Sequence, residues 1–110
     1  MSQVAQFDVI RTLAFGSISG AYAAVGTPVA YPTRLICFTN KTAGDMFFSD
    51  DGVNNMVFVP AGAFKLVDVC SNRGAPEDLL VFAANTQWYV KQSTAPVSGA
   101  VYIEIIYGQP

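Results

Sequence analysis

Histidine is absent from this 110-residue chain. The commonest general base and the commonest metal ligand are therefore missing. Cysteine occurs twice, at Cys37 and Cys70, which is too few for a thiolate-rich zinc site. Each cysteine sits inside an apolar run, so both read as small buried hydrophobes with free thiols rather than as a disulfide. Charge is scarce too: 13% of residues are Asp, Glu, Lys or Arg, against about 25% in an average domain. The six cations, Arg11, Arg34, Lys41, Lys65, Arg73 and Lys91, are scattered singly. Nucleic-acid binding needs a clustered basic footprint, so nucleic acid is not an expected partner. The uncharged runs are interrupted by Gly, Pro, Ser and Thr, which excludes a continuous membrane-spanning helix. The opening "MSQVAQFDVIR" has no basic leader before an apolar stretch, so no secretory signal is read and synthesis in a cytoplasm is expected.

Catalytic groupings are missing as well. Among the acids, Asp50–Asp51 and Glu77–Asp78 are the neighbouring pairs, and both lie in turn-like sequence. Ser17 and Ser19 have no candidate base. "GAYAAVGTP" lacks the G-x-G-x-x-G spacing and a following helix. The sequence therefore predicts no enzyme, no cofactor and no catalytic or metal-binding residue.

What the chain does have is apolar residues, 52% of the total. They fall in short runs rich in Val, Ile, Phe and Tyr, separated by Gly, Pro, Asn and Asp at spacings of roughly 8–12 residues, the pattern of a β-sandwich or barrel. The reading is a single all-β domain over residues 1–110, an antiparallel β-sandwich or jelly-roll-like barrel of about eight short strands. Strands are predicted at Asp8–Phe15, Ala21–Thr27, Arg34–Thr39, Met46–Ser49, Met56–Val59, Phe64–Val69, Leu79–Phe82, Gln87–Lys91 and Ala100–Tyr107. "APEDLLVFAANTQW" also permits a short helix start, but "AANT" would interrupt it, and a loop leading into a strand is preferred. Residues 1–7 read as an N-terminal arm reaching onto a neighbour or as a frayed end.

In "AVYIEIIYG", Val101, Ile103, Ile105 and Tyr107 fall on one face and Tyr102, Glu104 and Ile106 on the other, so one face is buried and the other partly wet. Trp88 and Val90 alternate with Tyr89 and Lys91 in the same way. If these two strands pair, Lys91 and Glu104 oppose each other.

The stretch "MFFSDDGVNN", Met46–Asn55, raises the question of calcium. A calcium loop needs oxygen ligands at alternating positions and a closing Glu. Asp50 and Asp51 are adjacent, and no Glu follows until Glu77. "DG" between "MFF" and "MVFV" instead predicts a hairpin with Gly52 at positive φ and carboxylates that keep the turn wet.

The order of these pieces carries a resemblance. "LAFGSISGAYAAVGTPVAYPTRLICFTNKTAGDMFFSDDG", "VFVPAGAFKLVDV" and "TQWYVKQSTAPVSGAVYIEIIYG" together resemble small all-β structural proteins of tailed bacteriophages, over Leu13 to Gly108. The shared motifs are turns and strand edges: the "YAAVG" turn, the "P-x-R-x-I" strand ending in Asn, the "S-x-DG" hairpin, the "VPAG" corner and the "TAP-x-SGAVY" hairpin. The resemblance implies a virion component present in many copies, on the capsid or in the neck or tail. A capsid decoration or cement protein on the major capsid protein is the leading expectation, and a head-to-tail connector or tail ring subunit is the alternative. Low charge also favours burial against other chains, including copies of itself. The expected contact residues are Phe47, Phe58, Trp88, Tyr102 and Tyr107. A carbohydrate-binding sandwich using Trp88, Tyr89 and Tyr31 ranks third.

Overall fold

Period-two alternation becomes two antiparallel sheets packed as a β-sandwich in the computed structural model, which describes residues 4–69 and 81–109. The strands are β1 (Val4–Phe7), β2 (Arg11–Ala14), β3 (Ala23–Ala24), β4 (Thr33–Asn40), β5 (Met46–Ser49), β6 (Val57–Val59), β7 (Phe64–Asp68), β8 (Tyr89–Gln92) and β9 (Ala100–Gln109). Sheet one runs β1-β9-β4-β7, with β2 also paired to β9. Sheet two runs β3-β8-β5-β6.

The inward positions of β4 and β9 meet those of β5 and β8 across the core. Phe38 lies 4.9 Å from Phe48 and meets Trp88 edge-on at 5.1 Å between ring centroids. Ile36, Met46, Val90, Val101, Ile103 and Ile105 close around them, all buried. Each such side chain contributes about 1.5–3 kcal/mol on leaving water, and edge-on aromatic pairs add to that.

β9 organises sheet one. One of its edges pairs with β4 from Thr33↔Tyr107 to Asn40↔Val101. Its other edge takes β1 along its C-terminal half and β2 along its N-terminal half. Residues 8–10 bend the chain between these two. The bend turns Arg11 inward, where it is 8% exposed. Its guanidinium donates to the carbonyls of Thr27 (2.7 Å), Val9 (3.0 Å) and Pro28 (3.2 Å) and pairs with Asp8 at 3.2 Å. A buried cation needs this many partners to offset its lost hydration. The clamp also explains Gly26, whose φ is +68° and whose Cβ, if present, would sit 2.7 Å from Arg11 Cγ.

Several expectations change. β8 and β9 lie in different sheets, so Lys91 and Glu104 do not face each other within the chain. Their apolar faces meet across the core instead of side by side along a ladder. Val4–Phe7, expected as an arm or a frayed end, pair with this chain's own β9. Ala21–Thr27 shortens to Ala23–Ala24, because the positive φ of Gly26 ends extended structure. Asp8–Phe15 shortens to Arg11–Ala14 and passes into a single 3₁₀ turn at Phe15–Ser17. Of Leu79–Phe82, Phe82 forms an isolated bridge to Thr33, and residues 79–80 lie outside the described residues. Cys70, the Glu77–Asp78 pair and the start of the helical alternative lie outside them too. Cys37 is a free thiol on the outer face of β4, half-buried rather than in the core.

The β5–β6 hairpin forms, with Phe47 opposite Phe58 and Gly52 at φ +73°. Its connection is longer than a two-residue turn, and Asp51 does more than keep it wet. The Asp51 carboxylate accepts bonds from the Ser49 hydroxyl (2.7 Å) and from the backbone N–H groups of Val53 (2.8 Å) and Asn54 (2.9 Å). Its second oxygen accepts the Asn54 side-chain amide at 2.8 Å.

Candidate interaction surfaces

Each sheet has one face in the core and one face turned outward. On the outer face of sheet two, the register sets Lys91, Phe47 and Phe58 in one row across β8, β5 and β6. Lys91 Nζ lies 5.0 Å from the centroid of the Tyr22 ring and 6.0 Å from that of Phe47, within the range of a cation–π attraction. The Phe47 and Phe58 rings are 5.3 Å apart, and Phe58 is 42% exposed. The Tyr22 hydroxyl donates to Asn55 Oδ1 at 2.6 Å and to the Asn54 carbonyl at 3.2 Å, tying this face to the β5–β6 loop. Partial burial pushes the Tyr22 hydroxyl pKa up, and the Asp51 charge pushes it further. The face therefore carries one ammonium group set among aromatic rings.

The outer face of sheet one has the opposite sign. Its register gives three rows: Phe7, Ile106, Leu35 and Asp68; then Glu104, Cys37 and Leu66; then Thr12, Tyr102, Thr39 and Phe64. Phe7 is 82% exposed, Leu66 58% and Phe64 69%. Phe7, Leu35, Cys37, Leu66 and Ile106 border a shallow groove of about 180 Å³, with Glu104 on its wall. The carboxylate of Glu104 is exposed and makes no ion pair with any described residue. Contiguous apolar surface of this kind, rimmed by polar groups, marks interaction sites on folded proteins.

The five residues expected as a contact surface do not form one. Phe47 and Phe58 share the outer face of sheet two, and Tyr102, 37% exposed, stands on the outer face of sheet one. Tyr107 stacks on Tyr31 at 4.3 Å near the end of β9, where burial, then the Tyr31 and Asp8 charges, raise its pKa. Trp88 is 2% exposed and belongs to the core, because just before β8 it shares the inward parity of Val90 and packs against Phe38 and Phe82. The aromatic trio suited to a sugar is dispersed for the same reason: Trp88 is buried, Tyr31 is stacked on Tyr107, and the Tyr89 ring lies against Gly52.

Sequence reasoning missed Phe7, Leu35 and Leu66 as surface-forming residues, whereas Glu104 stands on the outer face of β9 that its alternation assigned to it. Parity offered a signal for Leu35 and Cys37, which alternate with the inward Ile36 and Phe38. Phe7 was lost because its segment read as an arm. Among the described residues no three His, Cys, Asp or Glu side chains converge to hold a metal ion. Each outer face combines apolar area with one charged side chain among it, Lys91 on sheet two and Glu104 on sheet one. No protein-family model, no curated protein and no solved structure matches this chain.

Proposed function

We propose that this protein is a non-enzymatic structural component of a tailed-bacteriophage virion, acting as a capsid decoration or cement protein that braces the coat lattice. The observation that carries the reading is the pair of broad, outward, largely apolar sheet faces on a small sandwich. A lone monomer gains nothing from Phe7, Phe64 and Leu66 in water, whereas a subunit seated on a lattice buries them. The resemblance of its turns and strand edges to small phage structural proteins supplies the setting. Its partner is then the major capsid protein, and attachment at many sites lets modest single contacts add up.

The second reading, a head-to-tail connector or tail ring subunit, keeps the setting and changes the position. It is favoured by the opposite charge at the centres of the two faces, because a ring subunit needs two different, mutually complementary surfaces. Copy number per particle, measured by quantitative mass spectrometry against the major coat protein, separates the two. Hundreds of copies support decoration, and about a dozen or fewer support a closed ring.

A further inference from the structure

We propose that copies of this chain pack head to tail, with the outer face of sheet two of one copy on the outer face of sheet one of the next and Lys91 against the partner's Glu104. Three observations converge on a second copy as the occupant. The first is charge. Lys91 stands half-buried among Tyr22 and Phe47, Glu104 stands among apolar neighbours, and neither forms an ion pair with a described residue. The two groups that could not meet within one chain, because their strands lie in different sheets, are free to meet between chains.

The second observation is spacing. In sheet two the row is Lys91, Phe47, Phe58 on three adjacent strands, and in sheet one it is Glu104, Cys37, Leu66 on three adjacent strands. Adjacent strands are about 4.8 Å apart, so in each row the charge and the exposed apolar end lie about 10 Å from each other. Superposing the charges places Phe58 over the partner's Leu66 and the bulky Phe47 over the partner's small Cys37, a bump over a hollow. Face-to-face packing of sheets with interdigitating side chains is the geometry that already builds the core of this sandwich.

The third observation is what the faces forbid. A two-fold pair whose axis passes close to the central charge of either face would bring Glu104 against Glu104 or Lys91 against Lys91, and like-charge juxtaposition opposes that pairing. Only the heterologous arrangement neutralises both charges, and such contacts propagate into a ring or a stack rather than ending at a dimer. The chain's extents of 48 × 23 × 22 Å leave its broad side room for the about 800 Å² that each partner gives to a standard interface. The inference rests on the two faces alone and holds whether or not the protein belongs to a virion.

Sedimentation velocity on the purified full chain over the micromolar range tests it. The parent should associate with rising concentration into species larger than a dimer. Lys91→Glu makes both faces negative and Glu104→Lys makes both positive, so each should weaken association at least about tenfold. Combining the two substitutions in one chain should restore it. Mixing the two single variants should restore it as well, since each supplies the charge the other lost. Circular dichroism identical to the parent's confirms that the variants are folded, as expected for substitutions on outer faces. A parent that stays monomeric, association that stops at a dimer, or single reversals without effect would each overturn the proposal. A chain that is monomeric alone yet captured by purified coat protein would overturn it too, assigning these faces to a foreign partner.

Discussion

Asn40 is fully buried at the end of β4, and all four of its hydrogen-bonding positions are used. Its amide donates to the carbonyls of Gly44 (2.8 Å) and Val59 (2.9 Å), while its oxygen accepts the Thr42 backbone N–H (3.0 Å) and hydroxyl (2.6 Å). One side chain thus holds the β4–β5 turn against the end of β6. Asn40→Ala takes the side-chain partner from the Val59 carbonyl and the Thr42 backbone N–H, while the Thr42 hydroxyl and Gly44 carbonyl keep each other at 2.8 Å, and Asn40→Asp points an oxygen at two carbonyls. Each should cost at least about 3 kcal/mol, measured by chemical denaturation, a large share of an ordinary domain's stability. The sequence marks this position only as a strand ending in Asn before a turn, because hydrogen-bond partners distant in sequence leave no local pattern. Asp51 shows a different residue-level effect. The Asn54 backbone N–H, then the Ser49 hydroxyl and the remaining loop donors, hold its pKa well below the usual carboxylate range. A folded pKa below the unfolded value of about 3.9 means that its stabilisation is present above that value and is lost as the pH falls through and below it. Asp51→Asn should therefore melt below the parent at neutral pH, with the gap closing under about pH 4. Thermal melts across pH check this, and a gap that stayed constant into strong acid would show that the ionised form contributes nothing.

Strands were legible where alternation was long, as in β4 and β9, and the β5–β6 hairpin was legible from "DG" between two apolar runs. Sheet membership was not legible. Trp88–Val90 and Val101–Ile105 carry the same inward parity whether their strands lie side by side or face each other across a core, so Lys91 and Glu104 were matched within one sheet when the fold separates them. β1 was hidden because all four of its residues are exposed. Such a strand is held by backbone pairing to β9 and leaves no amphipathic signature. The hairpin also carries a test of its own. Gly52 has φ +73°, with the Tyr89 ring 3.5 Å from where a Cβ would stand. Space is adequate there and conformation is not. Gly52→Val should therefore cost about 1–2 kcal/mol through the left-handed backbone alone. Gly52→Asn should cost less, because Asn tolerates that region. Equal stability of the two variants in denaturant melts would mean that the loop rearranges to another geometry.

At the scale of the molecule, the two sheets give one chain two unlike outer faces, and in the proposed packing their central charges would set both partner and polarity. Whether the next object along is a second copy or a coat lattice, binding follows mass action: a partner that associates only with the assembled state lowers the free energy of that state relative to the broken one. Particles lacking a cement protein should therefore keep their shape but rupture more readily under heat or osmotic shock than complete particles. Most of the contact would be apolar, because the outer faces present Phe7, Leu66, Phe58 and their neighbours around a single central charge each. Moderate salt should release little of it, since screening over roughly 8–10 Å acts on exposed ion pairs and not on buried apolar area. Adding the purified protein back to deficient particles should restore heat resistance, and Leu66→Asp, placed on the groove of sheet one, should fail to do so while remaining folded. Deficient particles that keep full heat resistance but cannot attach tails would move the protein from the shell to the neck, where head-to-tail contacts between its two faces would close a ring.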